Sequence, residues 1–349
     1  MGANKGWLEK FLAPSRAKRR PAPEFVAYRW AGPNFRMDPV RNISATGVYV
    51  VTEEKLPPGT FVSIMLQREG PLEKDPERRI TTQARLARRG DDGMGLAFVT
   101  QHERLGRQWE SLFEGLVAQV EPKEVQDYVK LYGAVEFLRR ICPNAGEEVG
   151  QLLKGRLSNH KIGNALEIAL WAEHLLLSAS NSHLLRADPH KVVRILEEGT
   201  CTDEIWLQHC WGGLLACSCS EDSKDDSDRN FVELFSQMVT FEVRTLTVVC
   251  TRAIKVGSNS GAIAAKPLAC DIEEIIATTG SRGVNIDRDL QHLVDLGLIE
   301  KKSLNSPTLL RNNQVYITPS SLGLELHARC NGHRGAPQDF YAARPPRRV

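Results

Sequence analysis

Between residues 25 and 99 the chain is a series of short β-branched and aromatic runs that no helical period interrupts. They read FVAYRW (25–30), GVYVVT (47–52), FVSIMLQ (61–67), ITTQARLAR (80–88) and GLAFV (95–99). Pro57-Pro58-Gly59-Thr60 and Gly90-Asp91-Asp92-Gly93 separate some of them as turns. Five or six short strands at this spacing predict a small antiparallel β-barrel or sandwich. A helix is expected over 102–120, where Leu105, Trp109, Leu112, Phe113 and Leu116 form one apolar face that can pack on the strands preceding it.

After Glu121-Pro122-Lys123 the texture turns helical. Helices are expected at about 125–142, 146–156, 162–180, 190–198, 203–219 and 230–256, with a polar, acidic loop at 221–230. Helices at 270–280 and 286–300, a polar loop, a strand at 314–318 and a helix at 320–330 then follow the order of a winged helix. Its second helix carries Asp287, Arg288, Asp289, His292 and Asp295, an acidic lean that suits protein contact better than a DNA groove. The expected fold is therefore multidomain β + α. It comprises a basic N-terminal arm (1–24), a small barrel with its closing helix (25–120), a helical domain (125–265), a winged-helix-like module (266–330) and a disordered tail (331–349).

At 349 residues, 42% hydrophobic and 25% charged, the chain can bury a sizeable core and is neither a disordered polyampholyte nor a polycation. The first twenty residues lack the apolar centre of a secretory signal, and no run approaches the ~18 apolar residues of a membrane span. All eight cysteines fall between Cys142 and Cys330. Without a secretory signal they read as reduced thiols of a cytoplasmic protein. The net charge of +2 hides an asymmetry: residues 1–36 carry eight Lys/Arg and two Glu, so the basic N-terminus is where an anionic partner belongs.

That arm contains Arg16-Ala17-Lys18-Arg19-Arg20, an RxxxR, and 22 residues beyond Arg20 stands Asn42-Ile43-Ser44-Ala45-Thr46-Gly47, an NxSxxG. Together, in this order and each followed by a strand, they resemble the PilZ domain, the bacterial receptor for cyclic di-GMP, over about residues 10–120. GVYVVTEEKLPPGTFVSIMLQ resembles that domain's strand–turn–strand, and GMGLAFV (93–99) its closing strand. The resemblance implies that Arg16 and Arg20 grip the dinucleotide, that Asn42 and Ser44 meet its second guanine, and that Gly47 lets the backbone approach it. The chemistry agrees, because guanidinium bonds bidentately to phosphate or to guanine O6/N7 and stacks on bases. Arg41, directly before the second motif, is a further candidate. Trp7, Leu8, Phe11 and Leu12 share one face beside the arm, for packing on the domain or for a membrane interface.

No metal site is expected. His209, Cys210, Cys217 and Cys219 have zinc-ligand chemistry, but they sit in what reads as a buried helix and include no CxxC pair. No GxSxG or Walker-type loop nominates a catalytic residue, so an enzyme is not expected, and neither is a cofactor. Trp211-Gly212-Gly213-Leu214-Leu215-Ala216, Leu296-Gly297-Leu298-Ile299 and Ile317-Thr318 resemble, in patches over about 125–330, a family described as abortive-infection alpha-like. That resemblance implies a phage-defence effector and assigns no catalytic residue. The expected function is thus a cyclic di-GMP receptor signalling to a helical output domain. The alternative is a ligand-independent DNA-binding or defence effector with the barrel as an adaptor. A protein is the expected partner of the helical half, with DNA the weaker candidate.

Overall fold

The computed structural model describes residues 19–31, 34–73, 75, 78–99, 107–177, 185–220, 229–257, 263–271, 273, 286–301 and 314–342. The chain divides into two compact units, Met1–Gln208 with Ser218–Lys224, and His209–Cys217 with Asp225–Val349.

The first unit begins with antiparallel strands β1 (Arg20–Pro21), β2 (Phe25–Ala31), β3 (Asn34–Ser44), β4 (Gly47–Val51), β5 (Phe61–Arg68), β6 (Ile80–Arg89) and β7 (Gly93–Phe98). They run in the order β1-β3-β2-β5-β6-β7-β4, and β4 pairs back onto β3, so six strands close a barrel and β1 lies on its edge. Alternating residues fill the interior, among them Val48 and Val50 of β4, Val62, Ile64 and Leu66 of β5, Ala84 and Leu86 of β6, and Met94 and Leu96 of β7. Pro21 suits an edge strand because it has no N–H to give to a ladder.

Strand β3 is the element the hydrophobic pattern does not announce. Its sequence, NFRMDPVRNIS, contains a proline and a buried acid. Asp38 is there to meet the fully buried Arg29, whose Nε lies 2.5 Å from its carboxylate while Nη2 lies 2.6 Å from Glu54. The run from Asn42 to Gly47 is correspondingly less of a turn than its composition suggests. Asn42 and Ser44 are still strand, and only Ala45 and Thr46 turn.

Helix α1 (Arg107–Val120) buries Trp109, Leu112 and Leu116, and Trp109 Nε1 donates to the Pro143 carbonyl at 2.9 Å. Helix α2 (Val125–Ile141) packs on the outer face of β2 and β5. This explains why Ser63, Met65 and Gln67 of β5 are buried as well as the core residues between them. Helix α3 (Gly146–Gly150) continues into a π-helical turn, Gln151–Arg156, followed by α4 (Asn159–Leu176) and α5 (Pro189–Gly199). The last two are capped by Ser158 and Asp188, which accept from backbone N–H groups of the first turn.

Helix α6 (Ile205–Cys217) comes next. The single helix expected over 230–256 is two, α7 (Arg229–Ser236) and α8 (Thr240–Arg252), followed by the strand β8 (Lys255–Gly257). Glu242 marks the break by reaching back to accept from the Val239 N–H at 2.9 Å. Strand β9 (Ile263–Ala265) pairs with β8, and β10 (Leu268–Asp271) pairs antiparallel with β11 (Gln314–Ile317). Cys270 and Asp271, expected to open a helix, are therefore strand, and 274–280 lies outside the described residues. Helix α9 (Ile286–Asp295) falls between the two paired strands in sequence, and α10 (Ser321–Cys330) follows them.

The expected disordered tail contains a helix, α11 (Pro337–Ala342), with Phe340 and Tyr341 buried. The Tyr341 hydroxyl donates to the Leu324 carbonyl at 3.0 Å and lies 2.8 Å from His327 Nδ1, so an aromatic pair anchors a Gly- and Arg-rich segment. No helix among the described residues is long and apolar enough to cross a membrane. All eight cysteines are free thiols, buried except Cys201.

Candidate functional site

On the outer face of the barrel one row of residues runs across four strands. Asn42 of β3 stands opposite Tyr49 of β4, Tyr49 opposite Gly95 of β7, and Gly95 opposite Arg88 of β6. Residues directly opposite in antiparallel strands share a face, so this row lies back to back with the core row Ile43, Val48, Leu96 and Leu86. Two register shifts shape it. The β3–β4 ladder slips between Val40 and Asn42, and the β6–β7 ladder slips between Leu86 and Arg88. A bulge puts two consecutive residues against one on the partner strand, which re-aims side chains that simple alternation would send apart. Arg41 and Asn42 therefore reach the same cleft, and the extra residue Ala87 turns Arg88 outward where alternation from Leu86 would send it into the core; Arg89, opposite Met94, lines the rim.

The cleft has a volume of about 250 Å³ and is lined by four arginines (Arg19, Arg41, Arg88 and Arg89), two aspartates of the β6–β7 hairpin (Asp91 and Asp92), Asn42, Tyr49 and Gly90. Tyr49 is at its centre. The Arg41 guanidinium lies over its ring at 5.0 Å from the centroid and that of Arg88 at 5.9 Å, within cation–π range. The Tyr49 hydroxyl donates to Asp92 Oδ1 at 2.9 Å, and Asp92 Oδ2 forms an ion pair with Arg41. Arg89 turns away from the middle of the cleft and donates to the Leu56 carbonyl from Nε at 2.8 Å and also from Nη2. The small residues keep the lane clear: a Cβ on Gly90 would strike the Tyr49 hydroxyl, and one on Gly95 would come within 3.0 Å of the Arg88 side chain.

Of the five site residues expected from sequence, Asn42 alone lines this cleft among the described residues. Arg20 is exposed in β1, opposite Ile43, and its neighbour Arg19 lines the cleft instead. Arg16 lies outside the described residues. Ser44 is buried and holds the turn: its Oγ donates to the Gly47 carbonyl at 3.2 Å and accepts from the Thr46 N–H at 3.4 Å. Gly47 is required for barrel closure, since a Cβ there would collide with the Leu96 carbonyl on β7. That reason differs from the ligand approach expected of it. Tyr49 and Arg88 were not anticipated. The signals for them in the sequence are an aromatic between Val48 and Val50, and consecutive arginines that break the alternation of β6.

The cysteine-rich helix supplies no comparable site. Cys210 and Cys217 are buried, and among the described residues no three His, Cys, Asp or Glu side chains gather as a metal ion would require.

The family model for the PilZ domain matches residues 16–119, which span the arm's arginines, the whole barrel and nearly all of α1. The family model for abortive infection alpha matches residues 165–325. Both likenesses read from the sequence are therefore found. No curated protein matches the chain.

Proposed function

We propose that the barrel is a receptor for cyclic di-GMP and that the helical region is its output. The observation that carries this reading is the convergence of Arg19, Arg41, Arg88 and Asn42 around Tyr49, on the barrel face where the NxSxxG strand begins and within the span matched to the PilZ family, whose members generally bind this dinucleotide. The ligand offers two phosphates and two guanines. Guanidinium groups pair with the former and stack on or bond to the latter, and Asn42 supplies a short amide for a base edge. Arg16 and Arg20 of the arm grip the dinucleotide in this reading, as the PilZ likeness implies, while Ser44 and Gly47 keep the β3–β4 turn in shape. Cyclic di-GMP is a ligand in this reading; no catalytic step and no resident cofactor belong to it, and the protein works in the cytoplasm.

The output partner is a protein rather than DNA. The pairing of β10 with β11 around α9 in sequence supports a winged-helix-like arrangement. On α9, however, Arg288 bonds to its neighbour Asp289 at 3.0–3.1 Å and His292 pairs with the buried Glu242 at 2.7 Å, so its basic groups are held by carboxylates. The likeness to abortive infection alpha over 165–325 favours a second reading, a defence effector that uses the barrel as an adaptor.

Calorimetric titration of the full-length chain with cyclic di-GMP, beside cyclic AMP and GTP, separates the two. Saturable binding at micromolar or tighter levels, lost in an Arg16→Ala/Arg20→Ala double variant, is the expected result. No heat at high dinucleotide concentration, together with steeply salt-dependent DNA binding that ignores those arginines, would leave the adaptor reading standing.

A further inference from the structure

The anionic partner of Arg41 in the cleft is the protein's own Asp92. We propose that Asp92 is an internal anion holding the place that a ligand phosphate takes on Arg41, and that it thereby sets the affinity of the cleft; the inference rests on the receptor reading above. Carboxylate and phosphate present similar pairs of oxygens to a guanidinium, so the two compete for one position. The geometry fixes Asp92 in that position from two sides. Its Oδ2 meets the Arg41 guanidinium while its Oδ1 accepts from the Tyr49 hydroxyl at 2.9 Å. The Gly90 N–H donates to the Gly93 carbonyl at 2.8 Å and closes the hairpin that presents it. Asp91, one residue earlier, also lines the cleft but makes no ion pair among the described residues.

The side chains of Arg41 and Asp92 are 50% and 47% exposed, and ion pairs this open are held weakly, so the contact can be exchanged rather than locked. When a phosphate takes Arg41, the carboxylate is left beside a like charge. A monoanion only replaces the charge it displaces. A dinucleotide brings a second phosphate for the remaining arginines, so Asp92 biases the cleft toward dianions.

The test compares full-length wild type, Asp92→Asn and Asp91→Asn by calorimetry with cyclic di-GMP and, separately, with inorganic pyrophosphate. Asparagine keeps the shape and the acceptor for Tyr49 and removes only the charge, and circular dichroism melts confirm that all three proteins are folded. Asp92→Asn is expected to tighten binding about two- to ten-fold, by an amount that shrinks at high salt, and Asp91→Asn, which removes a cleft charge but frees no arginine, to tighten it by a clearly smaller factor. Unchanged or weaker binding by Asp92→Asn, or an equal gain from Asp91→Asn, would overturn the proposal. If no protein binds cyclic di-GMP, the receptor reading falls and pyrophosphate decides: a larger gain from Asp92→Asn than from Asp91→Asn sustains the internal anion, and an equal gain or none removes it.

Discussion

The barrel cleft and the C-terminal helical unit use their cationic side chains in opposite ways. Around Tyr49, arginines from an edge segment and two bulged strands converge on one concave space. In the C-terminal unit they turn back onto the chain. Arg288 bonds to Asp289, and Arg329 donates to Glu325 at 3.2 Å and to the His333 carbonyl at 2.9 Å. Four arginines thus line one concave space, while Arg288 and Arg329 fasten their own helices. The difference comes from backbone geometry rather than composition. The bulge at Arg41 sets it beside Asn42 on one face, whereas on α10 the four-residue spacing of Glu325 and Arg329 brings opposite charges side by side.

The strongest test of that contrast uses two glycines, one in each region. A Cβ on Gly47 would collide with the Leu96 carbonyl between β4 and β7, and one on Gly213 would collide with the Cys330 carbonyl at the end of α10. Neither obstacle is a flexible side-chain tip, so each Gly→Ala change should cost about 3 kcal/mol. Thermal denaturation of both variants checks the magnitude, and dinucleotide titration separates them. Gly47→Ala should lose binding with stability, while Gly213→Ala should bind within about two-fold of wild type.

A smaller effect sharpens the same contrast. Arg88→Ala removes a guanidinium from the Tyr49 face and should weaken cyclic di-GMP binding about ten-fold, or roughly 1.4 kcal/mol. Arg288→Ala, whose partner is Asp289, should leave that affinity unchanged. Equal losses from the two would mean that the cleft is not where the dinucleotide sits.

How much of this was legible follows from the same geometry. Strands β2 and β4–β7 show in the sequence as β-branched and aromatic runs, with β5 apolar on both faces because α2 covers it, and the turn chemistry between them is explicit. Strand β3 was hidden, since Arg29 and Asp38 spend the burial that apolar residues would otherwise signal. Asn42 was recognisable as part of a motif, but Tyr49 and Arg88 join it only through strand pairing between residues far apart in sequence. Arg41 was a candidate by adjacency alone, and the bulge beside Asn42 supplies the reason. The 331–349 tail misled because its Gly, Pro and Arg content outweighed Phe340 and Tyr341, which pack as a pair at 4.9 Å between ring centroids.

Charges buried among the helices of the first unit respond to pH. Glu173 is buried against Arg140 at 3.2 Å, and burial raises its pKa above the ordinary 4.5 despite that partner. A carboxyl with a raised folded-state pKa is stabilising below its unfolded pKa, and that contribution is lost as pH rises through the folded value. Melting wild type and Glu173→Gln across pH 4.5–7.5 should therefore show the difference in Tm moving in favour of wild type as pH falls. A difference that moves the other way, or stays flat, would mean that the Arg140 pairing outweighs burial.

The smallest effect concerns the joint between barrel and helices within the first unit. Glu121 directly follows α1; its φ of 48° is left-handed and its N–H donates to the Val117 carbonyl at 3.0 Å. This is the position after a helix that glycine usually fills, because a Cβ crowds the backbone there. Pro122 follows and cannot continue the helix, so the chain must turn at Glu121 whatever residue occupies it. Glu121→Gly relieves the crowding at the price of a more flexible unfolded chain, and relief should win by about 0.5–1 kcal/mol. Glu121→Ala keeps the Cβ and should gain nothing, so paired melts of the two variants isolate the backbone contribution. A gain in Tm from both would instead point to the lost carboxylate at the negative end of the α1 dipole.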